Sequence, residues 1–364
     1  MKFALSLLLI LTLQSPLWSQ SRDMQIISDS NTTAYDSGGL FGSEEIIYIC
    51  LNGDIRKLFK DRKDNAIYHP IHFSYQQDRG NTISFDIKVK TRGHFRRMRE
   101  NCYTPPLYLN FDSVQGRSQT IFSEQIKLKL VTACIDEKYV LREYLVYKIY
   151  QLITKKSFCT RLVKVCFEDI VKNKKTDLKF GILLENQNDM ALRNNSILLK
   201  RLNVNPKITD REMFLKMTVF QYLIGNTDWS IQYLHNIRLI SGNKFPALVP
   251  VPYDFDHSGI VDTPYAYPLE ELQLRSVKQR RYRGYCIIDM DEFGPVFKLF
   301  NDLQVDIYKL YIENPQLEKS YVKNTLKYLD EFYNTINDPK AAARAFQYPC
   351  NRRGNIAIKG LKKK

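Results

Sequence analysis

Between residues 223 and 259 the chain reads LIGNTDWSIQYLHN and, after a short interval, VPVPYDFDHSG. Four oxygen-bearing side chains follow in order: Asp228, Asn236, Asp254 and Asp256. Phosphoryl transfer needs few parts, and they are of these types. A carboxylate orients or deprotonates a hydroxyl. An amide and a carboxylate hold a magnesium ion against the phosphates. A basic side chain grips the phosphates, and a cleft excludes water. On this reading Asp228 is the base, and Asn236 and Asp254 are metal ligands. Asp256 lies on the same side of an extended segment as Asp254, placed to bind a second ion or brace the first. A lone loop aspartate is ordinarily a cap or turn former. The ordered set is what points to chemistry.

The elements that must position these residues follow from the patterning. Residues 44–186 are strand-rich, with alternating or β-branched runs in EEIIYICLNG, PIHFSYQ, TISFDIKVKTRG, PPLYLNF and QIKLKLVTA. Asp136 caps a predicted helix over 137–154, and RLVKVCFEDI and LKFGILLENQ follow as two more strands. Residues 187–350 turn helical: REMFLKMTVFQYLIG ends at Gly225, and two long stretches beyond Pro268 repeat the helical spacing. Asp338-Pro339 opens a short last helix. The pattern predicts an α+β chain of two lobes, a β-rich N-lobe over 44–186 and a helical C-lobe over 187–350.

LIGNTDW…HN…VPYDFD resembles the catalytic segments of CotH-type spore-coat kinases and HipA-type kinases. Upstream, KVKTRGHFRR, KLKLVTACIDEKYVLREYLVYKI and FGILLENQND are more loosely similar to small-lobe segments of CotH-like proteins. The likeness covers roughly residues 80–300 and is specific only over Asp228–Asp256. It implies a two-lobed protein-kinase-like fold, ATP with Mg2+ or Mn2+, and phosphoryl transfer (or AMP transfer) to protein hydroxyls. Carried over, it makes Asp228 the catalytic base and Asn236 and Asp254 metal ligands, and puts a small-lobe lysine on the nucleotide phosphates. Lys127 and Lys129 share one strand face, and the sequence does not choose between them. Glu143 is the helix partner implied for that lysine, and Glu185 is placed near the adenine. Two departures stand out. Asp228 and Asn236 are eight apart, wider than the family's spacing, and there is no GxGxxG loop.

The remaining features bound location and partners. MKFALSLLLILTLQSPLWSQ predicts a signal peptide over 1–20, a polar leader follows over 21–43, and a basic tail closes the chain over 351–364. The protein is thus expected to be secreted or periplasmic, with no transmembrane segment after signal cleavage. Seven cysteines allow three pairs and one odd thiol in such a compartment. Cys102 and Cys134 flank the 105–111 and 125–133 strands symmetrically, so a hairpin would pair them; two buried thiols are the alternative. A net charge of +15 favours anionic partners, an envelope surface among them, yet no aromatic-basic motif marks a specific nucleic-acid binder. Arg92, Arg96, Arg97 and Arg99 form either a solvated face or a phosphate grip.

Three readings follow. The chain is an exported CotH-like phosphotransferase acting on protein hydroxyls. Alternatively, it is a catalytically inactive kinase-like envelope protein that binds a phosphorylated or acidic ligand. Or it is a structural envelope protein held by charge.

Overall fold

A computed structural model describes residues 39–351, apart from 77–79, 113, 115 and 243–246. The predicted signal peptide, almost all of the leader and the basic tail lie outside the described residues.

Alternation along the early strands buries one face of each, and those faces meet around one interior. The strands are β1 (Ile47–Gly53), β2 (His69–Gln76), β3 (Thr82–Thr91), β4 (Leu107–Asn110), β5 (Lys127–Val131), β6 (Thr160–Asp169), the two-residue β7 (Lys174–Lys175) and β8 (Lys179–Leu184). Their order in the sheet is β1-β2-β3-β4-β5-β8-β6-β7, and β6 also pairs with β1. That last pairing is parallel, whereas the others are antiparallel. Seven strands therefore close into a mixed barrel, accompanied among the described residues by eight α-helices numbered in chain order from α1 (Ile55–Lys60). The expected two-lobed protein-kinase-like fold is overturned by this closure. Its physical cause is a seam between distant segments, which local patterning does not reveal.

A disulfide staples the seam. Cys50 and Cys166 are direct partners in the parallel register and are 116 residues apart in sequence. Closing so long a loop removes unfolded-state entropy worth about 4–5 kcal/mol. Cys102–Cys134 closes the open end of the β4–β5 hairpin, in which Leu107 opposes Leu130. Cys286–Cys350 ties the end of the described chain to an earlier loop. Three disulfides fit an oxidising compartment. Among the described residues no helix is long and apolar enough to cross a membrane.

Aromatic side chains fill the barrel. Phe111 and Phe122 stack at 5.2 Å, and the Phe73 ring meets both edge-on. The outer face of β5, β6 and β8 is apolar as well, because α2 (Glu137–Ile153) covers it. Asp136 caps α2 by accepting from the Lys138 N–H. Along β8, Leu183 belongs to the barrel interior while Ile182 and Leu184 belong to the core under α2. By the same alternation Leu128 and Leu130 point inward and Lys129 and Val131 point outward, toward the helical layer.

That layer carries α4 (Arg211–Leu223) and a three-stranded sheet of β9 (Ser196–Leu199), β10 (Ile237–Gly242) and β11 (Leu248–Pro252), with β10 in the middle. The long α7 (Lys319–Asn337) and the short α8 (Pro339–Phe346) pack behind it.

Candidate active site

The loop bearing Asp228 begins where α4 stops. Gly225 adopts φ +66°, its N–H reaches the Tyr222 carbonyl, and the Asn226 N–H reaches Gln221. This pair of bonds is a Schellman termination, in which glycine takes the left-handed position without a Cβ penalty. A Cβ there would also fall 2.1 Å from the Tyr328 hydroxyl. Asn226 then turns the chain by accepting from the Asp228 N–H at 2.9 Å. The buried Arg283 guanidinium donates to the Thr227 and Trp229 carbonyls, fixing the loop from behind.

A tight hairpin closes the wide Asp228–Asn236 spacing. Ser230 and His235 exchange backbone hydrogen bonds of 2.9 and 3.0 Å, which folds the four residues between them out of the way. Asn236 Nδ2 consequently donates to both the backbone oxygen and Oδ2 of Asp228, at 2.8 and 3.0 Å. His235 Nε2 lies 3.0 Å from Asp228 Oδ1. Burial pushes the Asp228 carboxyl up, but the hydrogen bond and charge of His235, with His257 and Arg283, hold it below its usual range. Burial likewise opposes the charged form of His235, and Asp228 and then Asp254 outweigh it, raising the imidazole above its ordinary value.

Asp254 arrives through the second hairpin. Ile237 opposes Pro252 in the β10–β11 register, and the Tyr253 N–H bonds the Asn236 carbonyl, so Asn236 and Asp254 come together at the open end. Both residues have left-handed backbones, φ +50° and +65°. Asn and Asp tolerate that conformation best, and its cost is characteristic of functional positions. The Asp254 N–H is anchored on the Tyr147 hydroxyl of α2 at 2.8 Å. The Asp254 carboxylate makes no side-chain hydrogen bond among the described residues.

Asp256 faces elsewhere. Its carboxylate accepts from the Tyr265 hydroxyl at 3.0 Å and lies 3.7 Å from Arg96 Nη1. Arg96 also reaches Glu143 at 3.4 Å and donates to the Thr132 carbonyl at 2.5 Å. Burial pushes the carboxyls of Glu143 and Asp256 up, with repulsion from Asp256 on the first and from Asp254 on the second, against the pull of Arg96. The expected role of Asp256 as a metal ligand is therefore not what its surroundings favour; it belongs to a buried ionic network. Glu143, expected to partner a lysine, pairs with an arginine.

Lys129 stands apart. It is 4% exposed, and its amine has no hydrogen-bond partner among the described residues. The rings of Tyr253 and Phe158 lie 4.9 and 5.5 Å from it. Burial lowers its pKa well below the usual lysine value; Arg92 and Arg238 lower it further, and Asp254 opposes them. Lys127, on the same strand face, is exposed at the strand's start. Glu185 is occupied: its carboxylate takes both Nε and Nη2 of Arg193 at 2.9 Å and the Cys159 N–H at 2.8 Å. It therefore braces the end of β8 and does not present its carboxylate to a base. Of the basic run, Arg96 is buried beside the cluster and Arg92 lies 5.5 Å over the Tyr108 ring. Arg97 turns away to Asp64 and the Lys63 carbonyl.

Two contributors escaped sequence reasoning. Tyr147 lies one helical turn after Glu143, a spacing that could have flagged it. Arg238, whose Nε donates to Gln187 at 2.6 Å and whose guanidinium covers Tyr253 at 4.4 Å, carried no local signal.

Metal fit is partial and specific. Asn236 spends its nitrogen on Asp228 and keeps Oδ1, so it and Asp254 offer two hard oxygen donors, a set that Mg2+ takes when substrate phosphates complete its shell. Among the described residues no three His, Cys, Asp or Glu side chains form a metal cluster. No protein-family model matches the chain, and no curated protein matches it.

Proposed function

We propose that the protein is an exported, metal- and nucleotide-dependent phosphotransferase acting on protein hydroxyls. The observation that carries this is Lys129: a buried amine without a hydrogen-bond partner, beside an uncommitted Asp254 and a braced Asp228. An unpaired buried ammonium is costly unless an anion completes it. Phosphate supplies that anion, and Arg92 and Arg238 add to the field. Asn236 Oδ1 and Asp254 would hold Mg2+ or Mn2+, which when bound neutralises charge on the phosphates. Asp228, kept ionised and aimed by His235 and Asn236, orients the acceptor hydroxyl. Export rests on the N-terminal sequence and is compatible with the three disulfides.

The test is calorimetric titration of ATP, with and without Mg2+ or Mn2+, into the protein and its Asp254→Ala variant. Binding that needs both metal and Asp254 supports the reading. No binding by the folded protein overturns it. A second reading, a phosphate-binding protein without turnover, draws on the commitment of Glu143 to Arg96 rather than to Lys129. Metal-dependent ATP binding with no label transferred from ATP to any protein hydroxyl would select it.

A further inference from the structure

A cavity of about 300 Å³ lies between α7, the 259–262 segment and Arg142 of α2. That volume is at the small end of the range for ligand pockets. Its deepest charged group is Arg142, which is 7% exposed. The guanidinium carbon lies over the Tyr321 ring, 3.7 Å from its centroid, which holds it in place. Its hydrogen bonding is thin. One long bond goes to the Val261 carbonyl at 3.3 Å, and the Glu318 carboxylate is 3.7 Å away, beyond hydrogen-bond reach. A guanidinium carries five N–H donors, and among the described residues the Val261 carbonyl is the one acceptor within hydrogen-bond distance of this one, which lines the cavity.

The acids around the cavity are already answered. Asp262 pairs with Lys278 at 2.7 Å, Glu331 pairs with Arg280 at 3.5 Å, and Glu318 is shared between Arg142 and Lys138. Glu318 is more than half exposed and lies against the guanidinium without a hydrogen bond, so a better acceptor can displace it. Lys327 lines the same cavity with no ion pair among the described residues, and Ser320 and Asn324 add hydroxyl and amide groups.

We propose that this cavity binds a small hydroxylated organic anion, its carboxylate or phosphate on Arg142 and Lys327 and its hydroxyls on the polar side chains of α7. Bidentate pairing of a buried arginine with an oxyanion supplies the specificity. The site is separate from the Lys129 cluster and does not depend on the proposed transfer activity.

The experiment is saturation-transfer NMR and calorimetry on the whole protein with D-glucuronate, glucose 6-phosphate and neutral glucose. The charged sugars are expected to bind and glucose is not. Glucuronate and glucose 6-phosphate together decide which oxyanion is preferred. Arg142→Gln removes the fork, and the exposed Lys327→Glu reverses the rim charge without touching the core. Each should weaken binding at least tenfold. Asn324→Trp, also at an exposed position, should block entry while leaving the thermal midpoint unchanged. Failure of both charged sugars to bind the folded wild type overturns the proposal. So does equal binding of glucose, or charged-sugar binding that survives Lys327→Glu and Asn324→Trp unchanged.

Discussion

Arg96 and Lys129 are buried to nearly the same degree, 8% and 4% exposed, on neighbouring parts of one cluster. Their surroundings are opposite. Arg96 has two carboxylates and a carbonyl, and although burial disfavours its charge, Tyr265, Asp256, Glu143 and Asp254 raise the guanidinium above its usual value. Lys129 has aromatic rings and other cations for neighbours, and burial with those cations disfavours its charge more than Asp254 favours it. A buried charge set against opposite charges is part of the scaffold, even where single atoms such as Arg96 Nε and Glu143 Oε1 lack a hydrogen bond. One left unanswered is a cost the fold sustains only where something else completes it. The comparison separates what holds the site together from what the site is for.

The largest effect should come from breaking the answered cation. Arg96→Met leaves Glu143 and Asp256 buried without their counter-charge, and should destabilise the protein by about 3–5 kcal/mol in urea denaturation. The loss should shrink in acid, as the two carboxyls take up protons. Lys129→Met should do the reverse and stabilise by about 1–3 kcal/mol, since it removes a buried amine without a hydrogen-bond partner at nearly constant volume. If both variants destabilise alike, the distinction between the two cations fails.

A smaller effect sharpens the same contrast at the half-exposed Asp228–His235 pair. The Asp228 carboxyl is lowered from 3.8, so its contribution is present above about pH 4 and is lost as the pH falls. The His235 imidazole is raised from 6.5, so its contribution is full below about pH 6.5 and is lost as the pH rises through the raised value. The pair therefore stabilises most between those limits. Solvent screening keeps the amount under about 1 kcal/mol. Comparing the pH dependence of the urea midpoint in wild type and His235→Asn isolates it: the difference should peak in that window, and a flat difference would remove the pair from the account.

The sequence made the local geometry of the cluster legible and left the distant geometry hidden. Asp228, Asn236 and Asp254 lie at the ends of two consecutive hairpins, the longer spanning Ile237–Pro252, and residue types and order suffice to suggest their meeting. The Cys102–Cys134 pairing is legible for the same reason, because one hairpin sets it. Barrel closure is not, since β1 and β6 meet across more than a hundred residues and each reads only as a strand. Nor is the commitment of Glu143 and Asp256 to Arg96, which joins three distant segments. Strand alternation put Lys127 and Lys129 on one face; only the helical layer packed over β5 separates an exposed amine from a buried one.

On the proposed function, the buried Lys129 amine is completed by a phosphate. Calorimetric titration of Mg2+-ATP in buffers of different ionisation enthalpy, at about pH 8 and above, reads the protons taken up on binding. The wild type is expected to take up protons, because a phosphate restores the charge on Lys129, and Lys129→Met is expected to lose both the uptake and most of the affinity. Equal affinity in the two proteins, with no proton taken up by either, would contradict it.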